Sequence, residues 1–136
     1  MKIDHVAIWT SSLEKMKDYY INFLNGRRNE KYFNPLTLFE SYFISFESGS
    51  RLELMSKPGI PENLNDPVDK QYLGIIHLSF EVETMEMVEA KARELSDEGF
   101  KILRGPRKTG DGYYEFETLD PDGNRLEVMT KYVENQ

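Results

Sequence analysis

The sequence repeats itself, and that repetition limits the architectures it can adopt. His5 and His77 are 72 positions apart, Gly26 and Gly99 are 73 apart, and Glu53 and Glu127 are 74 apart. An offset that drifts this slowly along a chain marks a duplicated supersecondary unit. Each unit closes on a matched stretch: Arg51-Leu52-Glu53-Leu54-Met55 in the first, Arg125-Leu126-Glu127-Val128-Met129 in the second. Both alternate apolar and polar residues, the period of a half-buried strand, so each glutamate stands on the face opposite the leucines.

The intervening segments fit the same plan. Met1 to Thr10 alternates and predicts a strand with Val6 and Ile8 on one face, and Ile3, His5, Ala7 and Trp9 on the other. Ser11 and Glu14 have capping-box spacing. Leu13, Met16, Tyr20, Phe23 and Leu24 then recur at helical spacing until Gly26, a natural stop. Strand-forming residues return between Lys31 and Met55, with a turn at Ser48-Gly49-Ser50, which gives a βαβββ unit. A connector containing Pro58, Gly59, Pro61 and Pro67 has neither period. The pattern restarts at Ile75, with Thr84 as N-cap, a helical stripe of Met85, Val88, Ala92 and Leu95, and a stop at Gly99. Strands follow over 100–104, 113–119 and 124–129, the last two joined by the turn Asp120-Pro121-Asp122-Gly123. The expected organisation is a module over 1–57, a linker over 58–73 and a second module over 74–136, together one α+β domain.

Composition narrows the function classes. A net charge of −7 argues against nucleic acid and anionic membrane surfaces as partners. No apolar run is long enough to span a bilayer, and the N-terminal residues lack a signal pattern. The chain has no cysteine, which excludes disulfides, thiolate metal sites and a cysteine nucleophile, and makes the cytoplasm the expected location.

In each unit the histidine of the first strand and the glutamate of the last strand stand opposite the helix-packing residues. Facing side chains on neighbouring strands lie ~5 Å apart, close enough to share one ion. His5, Glu53, His77 and Glu127 therefore form a candidate ligand set of two imidazoles and two carboxylates. Such a set suits one borderline divalent ion per site: Ni²⁺, Co²⁺, Zn²⁺ or Fe²⁺. Four protein ligands in an octahedral shell leave two positions open.

The double βαβββ plan, the opening His5-Val6-Ala7-Ile8, the Gly105–Gly110 loop and the closing stretch Leu119 to Glu127 together resemble the vicinal oxygen chelate superfamily. That superfamily includes glyoxalase I, methylmalonyl-CoA epimerase, extradiol dioxygenases, and the fosfomycin and bleomycin resistance proteins. The resemblance implies two modules forming a curled eight-stranded mixed sheet around a metal cavity. It also implies a homodimer, whose sites either take His5 and Glu53 from one chain and His77 and Glu127 from the other or form from the two modules of one chain. Among its branches the His/Glu/His/Glu set is most similar to glyoxalase I, a lyase or isomerase that moves a proton beside a metal-chelated carbonyl. By that resemblance Glu127 is the main base, while Glu53 is a ligand and second catalytic carboxylate. An acyl-CoA epimerase and a non-catalytic small-molecule binding protein are the alternatives.

One departure bears on the substrate. Glutathione-using relatives carry an arginine four residues after the first ligand, and an asparagine four after the second; here those positions are Trp9 and Lys57. An indole has one donor and no charge, so it cannot replace an arginine fork on a carboxylate. Trp9 either walls the cavity for a flatter, more apolar small-molecule substrate or packs at the barrel mouth. Arg104, Arg107 and Lys108 either hold a substrate carboxylate or phosphate, or form a solvated hairpin tip.

Overall fold

Among residues 1–66 and 68–134, which the computed structural model describes, the alternating segments form nine strands and the two apolar stripes form two helices. Pro67, a proline of the expected connector, lies outside the described residues, as do the last two of the chain. The chain divides into two units, Met1–Asn63 and a second that begins at Leu64.

The first unit comprises β1 (His5–Trp9), α1 (Leu13–Leu24), β2 (Arg27–Arg28), β3 (Tyr32–Asn34), β4 (Phe39–Ser45) and β5 (Arg51–Ser56). Its strand order is β1-β5-β4-β2, with β3 also on β4; β1 runs parallel to β5, and the other pairs are antiparallel. The second unit comprises β6 (His77–Glu81), α2 (Met85–Asp97), β7 (Ile102–Lys108), β8 (Tyr113–Leu119) and β9 (Arg125–Lys131). Its order is β6-β9-β8-β7, with β6 parallel to β9. The α+β expectation holds, and the second unit is βαβββ as read. The first differs in one respect. Its second strand is broken into β2 and β3 around Asn29, whose side-chain oxygen accepts from the Phe43 N–H at 2.8 Å. In the second unit β7 stays continuous and absorbs the same irregularity as register shifts near Arg104.

In each unit the helix covers one sheet face. Leu13, Met16, Tyr19 and Tyr20 of α1 are buried, as are Tyr42, Ile44, Leu52 and Leu54 of β4 and β5. Val88, Ala92 and Leu95 of α2 are buried with Phe116, Leu126 and Val128. Each large apolar side chain so buried contributes about 1.5 to 3 kcal/mol. Because strand side chains alternate, fixing the leucines on the helix face fixes His5, Glu53, His77 and Glu127 on the other.

The helix ends depart from expectation in the first unit. The Ser11/Glu14 capping box does not form: Ser12 is the N-cap and makes no side-chain cap bond, while its N–H donates to Thr10 Oγ1 at 2.9 Å. Glu14 turns instead to Lys17, Lys31 and the Tyr42 hydroxyl, where charge-assisted bonds outweigh a cap to one backbone amide. Asn25, with φ 57°, takes the left-handed position that ends α1. Gly26 is needed for space, since a Cβ there would sit 2.3 Å from Ile44 Cγ2. The second unit follows the reading at its helix but not after it. The strand expected over 100–104 runs Ile102–Lys108, so residues 105–108 of the expected loop join β7, whose Arg104, Arg107 and Lys108 pair with β8. Thr84 caps α2 by accepting from the Met87 N–H at 3.2 Å, and Gly99 at φ +90° ends it. At the final turn Asp120 accepts from the N–H groups of Asp122 and Asn124 at 3.0 and 2.9 Å, which fixes the β8–β9 register. No helix among the described residues is long and apolar enough to cross a membrane.

Candidate metal centre

On the first unit's open sheet face, β1 and β5 set Ala7 beside Glu53, and β4 sets Phe43 opposite it. His5 Nε2 lies 3.9 Å from Glu53 Oε1. The other imidazole nitrogen, Nδ1, is 2.7 Å from Asp4 Oδ2, and Arg51 donates to the same oxygen at 2.5 Å. With Nδ1–H donating to Asp4, the Nε2 lone pair faces Glu53, the orientation a ligating histidine needs. The His5 and Arg51 hydrogen bonds hold the Asp4 carboxyl down at about 2.

The second unit repeats the pair at the same register: His77 Nε2 lies 3.6 Å from Glu127 Oε2. The equivalence extends to exposure. The two histidine side chains are 37% and 34% exposed, and the two glutamates 18% and 17%. Two features are peculiar to this unit. Ser79 Oγ donates to Glu127 Oε1 at 2.8 Å, where the first unit has Ala7. Glu117 stands directly opposite Glu127 on β8, and His77, Glu117 and Glu127 offer ligand atoms all within 4.8 Å of one another.

The surrounding charge favours a cation. Glu115 and Glu117 lie on β8 beside Glu127, while Arg125, buried with 7% exposure, reaches Glu117 at 3.5 Å. Burial, and then the bond and charge of Glu127, push the Glu115 carboxyl up to about 7, against the pull of Arg107. Carboxylates crowded on one face repel, and a divalent ion relieves that repulsion. The donor set of imidazole and carboxylate is also the right chemistry for the ions expected above.

The remaining predicted residues fall at different distances from these pairs. Trp9 ends β1 on the His5 face, 40% exposed, edge-to-face with Phe39 at 6.0 Å, and Lys57 Nζ lies 5.3 Å from the centre of its ring. Arg107 pairs across the strands with Glu115, and Arg104 with Glu117. Lys108 points elsewhere, with Nζ 4.2 Å from the centre of the Tyr132 ring. On β8, Tyr114 turns to the helix side, where its hydroxyl donates to Glu89 of α2. Sequence reasoning missed Glu117, Ser79 and Asp4. Glu117 was detectable, because pairing Leu119 with Arg125 across the Asp120–Asn124 turn sets 117 opposite 127.

Comparison with known proteins agrees with this fold. Residues 2–128 match the family described as Glyoxalase/Bleomycin resistance protein/Dioxygenase superfamily. The chain belongs to that superfamily. No curated protein matches the sequence. Among solved structures, a glyoxalase family protein from Enterococcus faecalis is 26% identical with TM-score 0.74, covering 95% of this chain and 97% of that one. The trypanothione-dependent glyoxalase I of Leishmania major is 19% identical with TM-score 0.75, covering 96% and 86%. A variant of the fosfomycin resistance protein FosX from Listeria monocytogenes, complexed with Mn(II) and a dihydroxypropylphosphonic acid, is 16% identical with TM-score 0.70, covering 97% and 94%.

Proposed function

We propose that this protein is a metal-dependent, glyoxalase-like lyase or isomerase that moves a proton beside a carbonyl of a small substrate. The observation that carries this reading is the duplicated His–Glu pair: the same residues, register and exposure on the open face of each sheet. His5, Glu53, His77 and Glu127 are its ligand set, with Ni, Co, Zn or Fe as the ion. When bound, that ion supplies Lewis acidity at the substrate's carbonyl oxygen. Glu127 takes the proton from the adjacent carbon and returns it to the neighbouring one, with Glu53 as the second carboxylate. Ser79, which donates to one Glu127 oxygen, holds that carboxylate in a fixed rotamer for the transfer. Trp9 and Phe39 give the substrate's apolar part an aromatic wall, which supports a thiol other than glutathione.

The working form is a homodimer with sites assembled from both chains. Mixing a His5→Ala/Glu53→Gln chain with a His77→Ala/Glu127→Gln chain tests this. Activity recovered on mixing, from two inactive preparations, is the expected result; none recovered overturns the shared site. Turnover of hemithioacetals made from several thiols, with Ni²⁺- or Zn²⁺-loaded protein, tests the reaction. We expect turnover with a compact or aromatic thiol and little with glutathione. No turnover with any thiol overturns the glyoxalase reading, and glutathione as the best thiol overturns the argument from Trp9.

A further inference from the structure

Resting on the metal reading above, we propose that Glu117 is an additional ligand, so that His77, Glu117 and Glu127 hold the ion together on one sheet. The three side chains come from adjacent strands: β6 carries His77, β9 carries Glu127, and β8 carries Glu117 directly opposite Glu127. Their ligand atoms all lie within 4.8 Å of one another, and His77 Nε2 and Glu127 Oε2 are 3.6 Å apart. Adjacent ligand atoms bound at ~2.1 Å to a common ion lie about 3.0 to 3.4 Å apart, so the His77–Glu127 separation is already close to that and a small side-chain shift brings Glu117 within reach. Like charges placed directly opposite on a sheet are destabilising, so the Glu117–Glu127 pair costs stability unless a cation offsets it. Arg125 offsets part of it at 3.5 Å from Glu117.

The first unit provides the internal control. At the position of Glu117 it has Phe43, opposite Glu53. That ring packs edge-to-face on His5 at 5.2 Å and lies 4.2 Å beneath the Arg51 guanidinium carbon. The first unit therefore offers two ligands on its open face, and the second offers three. Three ligands on one hydrogen-bonded sheet are pre-positioned in a way that two are not.

The test is Co²⁺ binding to the full chain, read by calorimetry and by visible absorption of the bound ion, with folding followed by circular dichroism. Glu117→Gln should weaken Co²⁺ binding at least tenfold and alter the spectrum. Arg125→Met and the double variant Glu117→Gln/Arg125→Met separate ligation from charge balance, and the double variant leaves neither partner of the ion pair stranded. If the double variant stays at least tenfold weaker than Arg125→Met alone, Glu117 is a ligand. If it regains wild-type affinity, Glu117 only neutralises Arg125 and the proposal is overturned. If Glu117→Gln binds within twofold of wild type, the proposal fails while the metal reading stands. If the wild type binds no Co²⁺, both fail together.

Discussion

The two open sheet faces share a plan and differ in chemistry. The open face that carries His5 and Glu53 also carries Ala7, Trp9, Phe39 and Phe43; the one that carries His77 and Glu127 also carries Ser79, Glu81, Tyr113, Glu115 and Glu117. One face is largely aromatic and the other largely anionic. A duplicated scaffold whose two sides were functionally interchangeable would not need this contrast. The contrast sets an aromatic surface beside one His–Glu pair and extra carboxylates beside the other, so the two pairs are not chemically interchangeable.

The sharpest way to break that comparison is to remove one carboxylate from each face. Glu127→Gln should lower kcat/KM about a thousandfold or more, the scale of losing a general base. Glu53→Gln should cost less, on the order of tenfold to a hundredfold, because the amide oxygen still offers a weak ligand. Steady-state kinetics at saturating metal would measure both. Equal losses would mean that the two glutamates share the proton work, contrary to the assignment made above.

Phe43→Glu then makes the aromatic face resemble the anionic one. It places a carboxylate opposite Glu53 and beneath Arg51. Co²⁺ affinity should rise by several-fold to tenfold, while stability falls by about 1 to 2 kcal/mol from the lost ring packing. Unchanged affinity would show that a carboxylate at this register does not distinguish the faces. Ser79→Ala makes the opposite change, giving the second unit the first unit's alanine. Its loss should be smaller, about threefold to tenfold in kcat, with KM little changed, because it frees the Glu127 rotamer without removing the base.

How much of this was readable in the sequence follows the same division. The strand alternation of Leu52/Glu53/Leu54 and Leu126/Glu127/Val128 was enough to set the glutamates opposite the core, because a period of two leaves no other choice. The Thr84 cap and the Gly99 stop were equally legible, since each bond is local. Glu14 was misread as a capping residue because its partners Lys31 and Tyr42 lie 17 and 28 positions away, beyond any local pattern. Glu117 escaped for a related reason. It shares its strand with Glu115, and two glutamates on an exposed alternation read as solvated until the hairpin register is counted out. Lys108 and Arg107 are adjacent in sequence yet engage different partners, Tyr132 and Glu115, as strand neighbours must.

The smallest expected effects lie on the helix sides, and there too the units differ. In the first, Glu14 ties α1 to β4, and its bonds to Lys17, Lys31 and Tyr42 lower its carboxyl from 4.5 to about 2 despite some desolvation. That contribution is fully present above pH 4.5 and is lost as pH falls toward about 2. In the second, Tyr114 ties β8 to α2, and its bond to Glu89, then burial, push the phenol from 10.0 up to about 12. That contribution is fully present below pH 10 and is lost as pH rises toward about 12. Both ties are partly exposed, with the Glu14 side chain at 54%, so each is worth no more than about 1 kcal/mol after solvent screening. Urea melts of Glu14→Gln and Tyr114→Phe at pH 3, 7 and 11 would read the difference. Glu14→Gln should be least stable relative to wild type at pH 7 and nearer to it at pH 3. Tyr114→Phe should lose most at pH 7 and less at pH 11. If instead Glu14→Gln keeps its full deficit at pH 3, the α1 tie depends on packing of the side chain rather than on its charge.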